Sequence, residues 1–327
     1  MSLLVPSRRR LLGYGAAGFA ALGMPTIARA QAQVVRIGLP TKTYYPTIIA
    51  ETALRQKLFE KEGIKAELTI YRGGAEGYEA MAAGAADVIL NSASSVAAGI
   101  KKGVMAKNVA GAALGYYGWH LVVKPDSPIK DAKDLAGKKV GITSAGSGSD
   151  MLARWAAQAR RVEFTRVPLG GGGLVPNLLS GNIDATVLYS PLTFKVMQAK
   201  EARSILDFGA EIPPHSTASW IATDKIIKDR PQAVQKSLNA IYGGVGYLAN
   251  DKNRDVSVKL IAEIDEIAEP VAAAELDGNL KKLSPDGAYT KEIMVRALDM
   301  ARLIGMTDLA PVEQIYVETF KPVPTKA

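Results

Sequence analysis

The chain has 327 residues, 48% of them hydrophobic and 22% charged, which is an ordinary soluble globular composition in a length that accommodates two lobes. It contains no cysteine, which excludes a disulfide framework, a thiolate nucleophile, Cys-ligated zinc and a lipid-modified cysteine anchor. The formal charge of +8 falls to +4 once residues 1–30 are set aside, since they hold four arginines and no acids; the remaining charges are interspersed, and nucleic acid is not an expected partner.

Arg8, Arg9 and Arg10 precede a weakly apolar, glycine-rich run over 11–27 and then Ala28-Arg29-Ala30. That order predicts an export signal over residues 1–30, cleaved near Ala30. A membrane-spanning helix would need roughly 20 strongly apolar residues, so no membrane insertion of the mature chain is expected. The string Ser7-Arg8-Arg9-Arg10-Leu11-Leu12 resembles a twin-arginine signal, with an ordinary secretory signal as the alternative; either route leads to a periplasmic, freely diffusing protein.

Beyond the signal the pattern predicts a strand over 34–39, a helix opened by Pro46 and running to 61 with Gly63 as its stop, and a strand over 64–71. A unit then follows that recurs 97 positions later: Gly74, Gly84 and Asp87 correspond to Gly171, Gly181 and Asp184. In the first copy it predicts a helix to 83, a strand over 86–90 and a helix over 95–102, followed by apolar extended chain over 104–123. The polar segment 124–139 introduces a strand over 140–143, a helix over 150–160, a strand over 162–168, the second copy of the unit and a strand over 204–208. After Pro213-Pro214 come a strand over 218–222 and a helical tail whose first helix places Val234, Leu238, Ile241, Val245 and Leu248 at steps of three and four. Further helices are predicted near 256–264, 271–283 and 293–304.

Alternating strand and helix predicts an α/β fold with right-handed crossovers on mostly parallel sheets, arranged as two doubly wound lobes with a cleft between them. The apolar stripes of the tail need a sheet to cover, so the chain is expected to return to the first lobe. The predicted division is lobe one over 31–121 and 217–327 and lobe two over 122–216, joined by a two-segment hinge near 119–124 and 213–220.

In open α/β sheets ligands bind outside the carboxyl ends of strands, where free amides at helix starts favour anions. Four predicted strand ends are hydroxyl-rich: Thr41-Lys42-Thr43-Tyr44-Tyr45, Asn91-Ser92-Ala93-Ser94-Ser95, Ser144-Ala145-Gly146-Ser147-Gly148-Ser149 and Tyr189-Ser190-Pro191. Each taken singly can be read as a helix cap; together they suggest an anionic head group held from both lobes. Gly170 to Gly173 could either bring amides to a ligand or serve as a flexible connection. Tyr44, Tyr45, Tyr116, Tyr117, Trp119, Tyr189 and Trp220 cluster near strand ends and hinges, split between core packing and a binding wall for an organic body. Lys42 and Arg72 are the cationic candidates. Asp87 and Asp184 lie at strand entrances, the wrong end for catalysis, and are expected to hydrogen-bond nearby backbone amides. His120 and His215 fall near the crossovers and have no metal spacing; Ser144 to Ser149 lacks the third glycine of a dinucleotide loop, and Ser127 to Lys130 matches S-x-x-K without its companion motifs.

The segments LFEKEG (58–63), AMAAGAADVIL (80–90), DLAGKKVGI (134–142) and NLLSGNIDATVLYSP (177–191) together resemble the nitrate/sulfonate/taurine group of periplasmic solute-binding proteins, relatives of the thiamine-pyrimidine-precursor binders. The resemblance spans about residues 34 to 320. It implies the type II periplasmic-binding-protein fold, monomeric, with lobes that close over a small organic anion and present it to an ABC-type permease. It carries binding roles onto Thr41, Lys42, Thr43, Tyr44 and Tyr45, onto Asn91, Ser92, Ala93 and Ser94, onto Ser144, Gly146, Ser147 and Gly148, and onto Tyr189 and Ser190, with Trp119 at the crossover. No cofactor, metal or catalytic residue is implied. One eukaryotic branch of similar fold makes a pyrimidine using a cysteine cluster, which this chain lacks. Two other classes share the scaffold: a solute-sensing adaptor for a receptor kinase, and a periplasmic enzyme, which would need a titratable pair in the cleft.

Overall fold

The computed structural model describes residues 33–280, 283–320 and 323, so the predicted export signal lies outside the described residues. The first four strands are β1 (Gln33–Leu39), β2 (Ile64–Ile70), β3 (Val88–Asn91) and β4 (Ala106–Ala113). The next five are β5 (His120–Val123), β6 (Lys139–Ile142), β7 (Thr165–Pro168), β8 (Ala185–Leu188) and β9 (Arg203–Asp207), and the last is β10 (Ala218–Thr223). They form two five-stranded sheets, ordered β2-β1-β3-β10-β4 and β7-β6-β8-β5-β9.

The duplication is visible in both sheets. β3 and β8 occupy 88–91 and 185–188, the displacement of 97 seen in the sequence, and each ends a helix-to-strand turn on a glycine of positive φ, Gly84 at 75° and Gly181 at 78°. Both strands are buried throughout, the uninterrupted apolar reading of a strand covered on two faces. Helix Gly74–Ala82 is answered by a 3₁₀ turn at Gly171–Gly173 and helix Leu174–Leu179, and helix Ala93–Lys101 by helix Leu192–Gln198.

Asp87 and Asp184 play the same part in each copy. Asp87 Oδ2 accepts from the Arg36 amide at 2.9 Å, and Asp184 Oδ2 from the Lys139 amide at 2.8 Å, tying β3 and β8 to the entrances of β1 and β6. Asp87 also binds the Arg36 guanidinium through Nε at 3.2 Å and Nη2 at 2.8 Å. Burial opposes the Asp87 charge, but these bonds and the nearby Arg230 outweigh it and hold the carboxyl below its ordinary value of 3.8. A lowered folded pKa means the stabilisation is complete above the ordinary carboxylate range and is lost as pH falls through the folded value. Asp87→Ala should therefore destabilise the fold by about 2–3 kcal/mol at pH 7, with a smaller difference from the parent at pH 2.5, measured by urea unfolding.

Three sequence expectations need correction. The sheets are mixed: β10 runs antiparallel to β3 and β4, and β5 antiparallel to β8 and β9, because each is a crossover strand entering from the other half. The extended chain expected over 104–123 is two strands, β4 closing the first sheet and β5 opening the second. The helix expected over 46–61 is broken into Tyr45–Arg55 and Leu58–Lys61 by Lys57 in the left-handed region (φ 55°), which directs Phe59 into the core at 1% exposure.

After β10 the chain stays with the first sheet: helix Pro231–Ala249 packs on Tyr45–Arg55 and helix Lys291–Leu303 on Ala93–Lys101. Helix Arg254–Asp265 follows, and helix Glu269–Gly278 packs on Leu192–Gln198, which belongs to the second half. Among the described residues no helix is long and apolar enough to cross a membrane.

Candidate functional site

Four helix starts converge on one cavity. Helices Tyr45–Arg55, Gly74–Ala82 and Ala93–Lys101 follow β1, β2 and β3 of the first sheet, while Gly148–Arg160 follows β6 of the second. The last three leave their first amides without intrahelical acceptors; in Tyr45–Arg55 Pro46 has no N–H and the Thr47 amide donates to the Tyr44 carbonyl at 2.7 Å, so that helix contributes the positive end of its dipole rather than free amides. The cavity volume is about 50 Å³. Its floor is built of Pro40, Thr41, Gly73, Gly74, Asn91 and Ser92 from the first half and Thr143, Ser147, Gly148 and Ser149 from the second, with Thr217 and Ala218 at the crossover.

Side chains fix these backbones. Asn91 accepts from the Ser92 amide at 2.8 Å and donates Nδ2 to the Gly74 carbonyl at 2.9 Å, coupling two helix starts. Gly74 admits this approach because a Cβ there would lie 2.4 Å from Asn91 Oδ1. In the second half Thr143, Ser147 and Ser149 form a hydroxyl triangle with edges of 2.8, 2.9 and 3.0 Å, and Ser147 Oγ caps its helix by accepting from the Asp150 amide. Asp150, 1% exposed, accepts from the Gly146 amide at 2.9 Å and from Arg154 and Arg166, so its charge is matched where it holds the loop.

Four rings make the remaining wall. Trp119 lies 5.0 Å from Tyr189, 5.7 Å from Tyr44 and 6.0 Å from Tyr116 between ring centroids, and Tyr44 lies 5.6 Å from Tyr189. Edge-on and tilted contacts of this kind hold the rings in fixed positions. Trp119 Nε1 and Tyr189 OH are buried without a hydrogen-bond partner; Thr41 and Thr43 lie near the Tyr189 hydroxyl, and Tyr45 near Trp119, without bonding geometry. Burial pushes the Tyr189 hydroxyl up to about 12 and raises Tyr44 and Tyr116 further, so all three are neutral at pH 7.

The halves touch across the cavity. The Gly171 amide donates to the Arg72 carbonyl at 3.3 Å, Tyr44 pairs with Pro191 in an antiparallel bridge, and Ser94 Oγ meets Met151 Sδ at 4.0 Å.

Of the residues singled out from sequence, Thr41, Tyr44, Asn91, Ser92, Tyr116, Trp119, Ser147, Gly148, Ser149 and Tyr189 line the cavity. The others stand behind or beside it. Lys42 is half exposed and paired with Glu266 at 2.6 Å. Tyr45, the first helical residue, is fully buried with its hydroxyl toward the Gly115 carbonyl at 3.5 Å, while Tyr44, the extended residue that caps the helix, faces the cavity. Thr43 lies near Tyr189 outside the lining; Ala93 and Ser94 are buried in their helix; Gly146 has φ 76° and serves the Asp150 contact; Ser144 Oγ packs at Gly73 and Ser190 Oγ is buried, both unpartnered. Arg72 contributes its backbone: its amide donates to Glu76 at 2.7 Å. His120 bonds Ser204 at 2.8 Å, and His215 donates to the Pro213 carbonyl at 2.9 Å while packing on Tyr116; burial lowers the pKa of both, and neither lines the cavity.

Sequence reasoning did not select Pro40, Gly73, Gly74, Thr143, Thr217 or Ala218 as contacts. The paired glycines after β2 were a usable signal, since they open a helix at a strand's carboxyl end as Ser147-Gly148 does.

No charged side chain lines the cavity among the described residues, and no group of three or more His, Asp or Glu is gathered to hold a metal ion. The arrangement can bind a small anion through amides and hydroxyls and pack an organic body against rings.

The family described as NMT1/THI5 like matches residues 47–254. The chain belongs to this family. Over 225 residues it is 27% identical to a putative binding protein of Brucella abortus, covering 67% of this chain and 68% of that protein. It is 25% identical over 271 residues to the putative aliphatic sulfonates-binding protein of Bacillus subtilis, covering 82% and 79%. The alkanesulfonate-binding protein of Xanthomonas axonopodis pv. citri, solved bound to MOPS, superposes with a TM-score of 0.75 at 16% identity, covering 88% of this chain and 99% of that one. This NMT1/THI5-like chain therefore has the periplasmic-binding-protein fold, as its sequence suggested.

Proposed function

We propose that this NMT1/THI5-like protein is the extracytoplasmic substrate-binding subunit of an ABC importer, capturing a small organic anion of the sulfonate or aromatic sulfonate/carboxylate type and delivering it to a membrane permease from the periplasm. The observation that carries this reading is the meeting of four helix starts, from both halves, at one cavity with uncharged lining and an aromatic wall. Fixed amide dipoles compensate a negative head without a counter-charge, and the rings take up the body. The sulfonate-binding relatives favour the sulfonate class. Capture without turnover fits a lining whose only ionisable side chains are neutral tyrosines, which leaves no acid–base pair.

The test is a melting screen with alkanesulfonates, taurine, aromatic sulfonates, phthalate-like dicarboxylates, nitrate and pyrimidines. A true ligand at 100-fold over its dissociation constant adds about 2.7 kcal/mol of stability. No shift from any of them would remove the support for this function. For an active solute, Tyr189→Phe should leave stability unchanged or slightly raised, because it deletes a buried hydroxyl without a partner, and should weaken binding about 3- to 15-fold if that hydroxyl serves the ligand. Calorimetric titration beside a melting curve checks both halves of that expectation.

A further inference from the structure

Two carboxyls stand behind the aromatic wall with no part in the binding just described. Asp265, at the end of helix Arg254–Asp265, is 4% exposed and neither of its oxygens has a hydrogen-bond partner. Glu275, in helix Glu269–Gly278, is fully buried; Asn279 Nδ2 donates to its Oε2 at 3.1 Å while Oε1 has no partner. They sit where the halves meet. A Cβ at Gly278 would lie 3.5 Å from the Phe194 ring, and one at Gly118 would lie 2.7 Å from Ser190 Cβ and 3.0 Å from Asn279 Nδ2. Ser190 Oγ and Thr193 Oγ1, on the facing segment of the second half, are fully buried and likewise unpartnered. A cluster of incompletely hydrogen-bonded carboxyls and hydroxyls thus lies in the contact that must part when the cleft opens.

Resting on the proposed binding function, we propose that Asp265 and Glu275 form a proton-operated latch: protonated, they let helix Glu269–Gly278 seat against the second half and keep the cleft shut; ionised, they draw water into that contact and favour opening and release of the anion.

Burial pushes the Asp265 carboxyl up to about 7, with Lys42 opposing and Glu51 assisting. Burial likewise pushes Glu275 up to about 8, against the Asn279 bond and with help from Asp265. The surrounding charges do not neutralise them: Lys42 is held by Glu266, which also feels Lys195; Arg55 is paired with Glu263, and Arg254 with Asp277. Among the described residues the remaining neighbours are Tyr189, which feels Asp265, and Tyr45, which feels Glu275; both are neutral. An ionised carboxyl in this contact is poorly compensated, whereas in an opened cleft water solvates it. Closing therefore takes up protons. The closed state has the higher carboxyl pKa, so closure is favoured below the ordinary carboxyl range and weakens as pH rises toward about 7–8. An anion in the cavity acts in the same direction, since it too raises the pKa of carboxyls behind the wall.

The absence of cysteine from the chain permits clean spin-labelling at Glu60→Cys and Gln158→Cys, exposed positions on opposite halves. In the ligand-free protein the short-distance population should fall severalfold from pH 6 to pH 9, and should not move in Asp265→Asn/Glu275→Gln; either single variant should show a reduced change. Calorimetry with butanesulfonate and benzenesulfonate in buffers of different ionisation enthalpy should show proton uptake and an affinity at least tenfold weaker at pH 9 than at pH 6, both lost in the double variant. A parent distance distribution indifferent to pH, or a double variant that opens as the parent does, overturns the latch even if the sulfonates bind. Distances that respond to pH through these carboxyls while neither sulfonate binds would uphold the latch and count against the sulfonate reading instead.

Discussion

Gly171→Ala should weaken solute binding about ten- to a hundredfold and also lower the melting temperature of the ligand-free protein. A Cβ at Gly171 would lie 2.6 Å from Tyr189 OH and 2.8 Å from Thr41 Cγ2, and Thr41 belongs to the opposite half. Its backbone is not in the left-handed region, so alanine meets no backbone penalty. The nearer clash, with the Tyr189 hydroxyl, lies within the same half, and the clash with Thr41 adds to it when the halves meet; overpacking of that kind costs about 1–3 kcal/mol, which is about 5- to 150-fold in a binding constant. The measurement is a titration with the solute that gives the largest melting shift, paired with thermal unfolding of the free protein. Equal affinity for parent and variant would mean that the halves do not need to meet at Gly171 for capture.

Trp119→Ala should be the most damaging single change in the wall, lowering stability by about 3–5 kcal/mol through the cavity it leaves among Tyr44, Tyr116 and Tyr189. Trp119 Nε1 makes no hydrogen bond, so the loss is one of packing alone. Trp119→Phe, which keeps an aromatic ring there, should recover most of the stability while still reducing affinity for a solute with a bulky body. Urea unfolding of both variants checks the first statement; comparison of a short and a bulky sulfonate on Trp119→Phe checks the second.

The parts legible in the sequence were those written in repetition. Gly84 and Gly181 could be matched because a helix stop needs a residue tolerant of positive φ, and Asp87 and Asp184 because a short acceptor at a strand entrance finds the neighbouring strand's amide. The helix starts at Ser92 and Ser147 were readable for the same local reasons. What depended on meeting across the cleft was not. Tyr44 and Tyr45 are equivalent in a sequence, yet only the three-dimensional surroundings decide that one faces the cavity and the other the core. Thr143 and Thr217 resemble any buried hydroxyl until their partners are known, and the break at Lys57 reflects Phe59 finding the core, a tertiary preference overriding helix propensity.

In the proposed reading much of the grip on the anion's head comes from peptide amides at helix starts, which any substitution other than proline keeps. On that reading, descendants of this chain can change cargo without rebuilding the helix starts: altering the four rings would redraw the shape of the acceptable tail. Retargeting this scaffold toward a new pollutant or nutrient should accordingly begin at Tyr44, Tyr116, Trp119 and Tyr189.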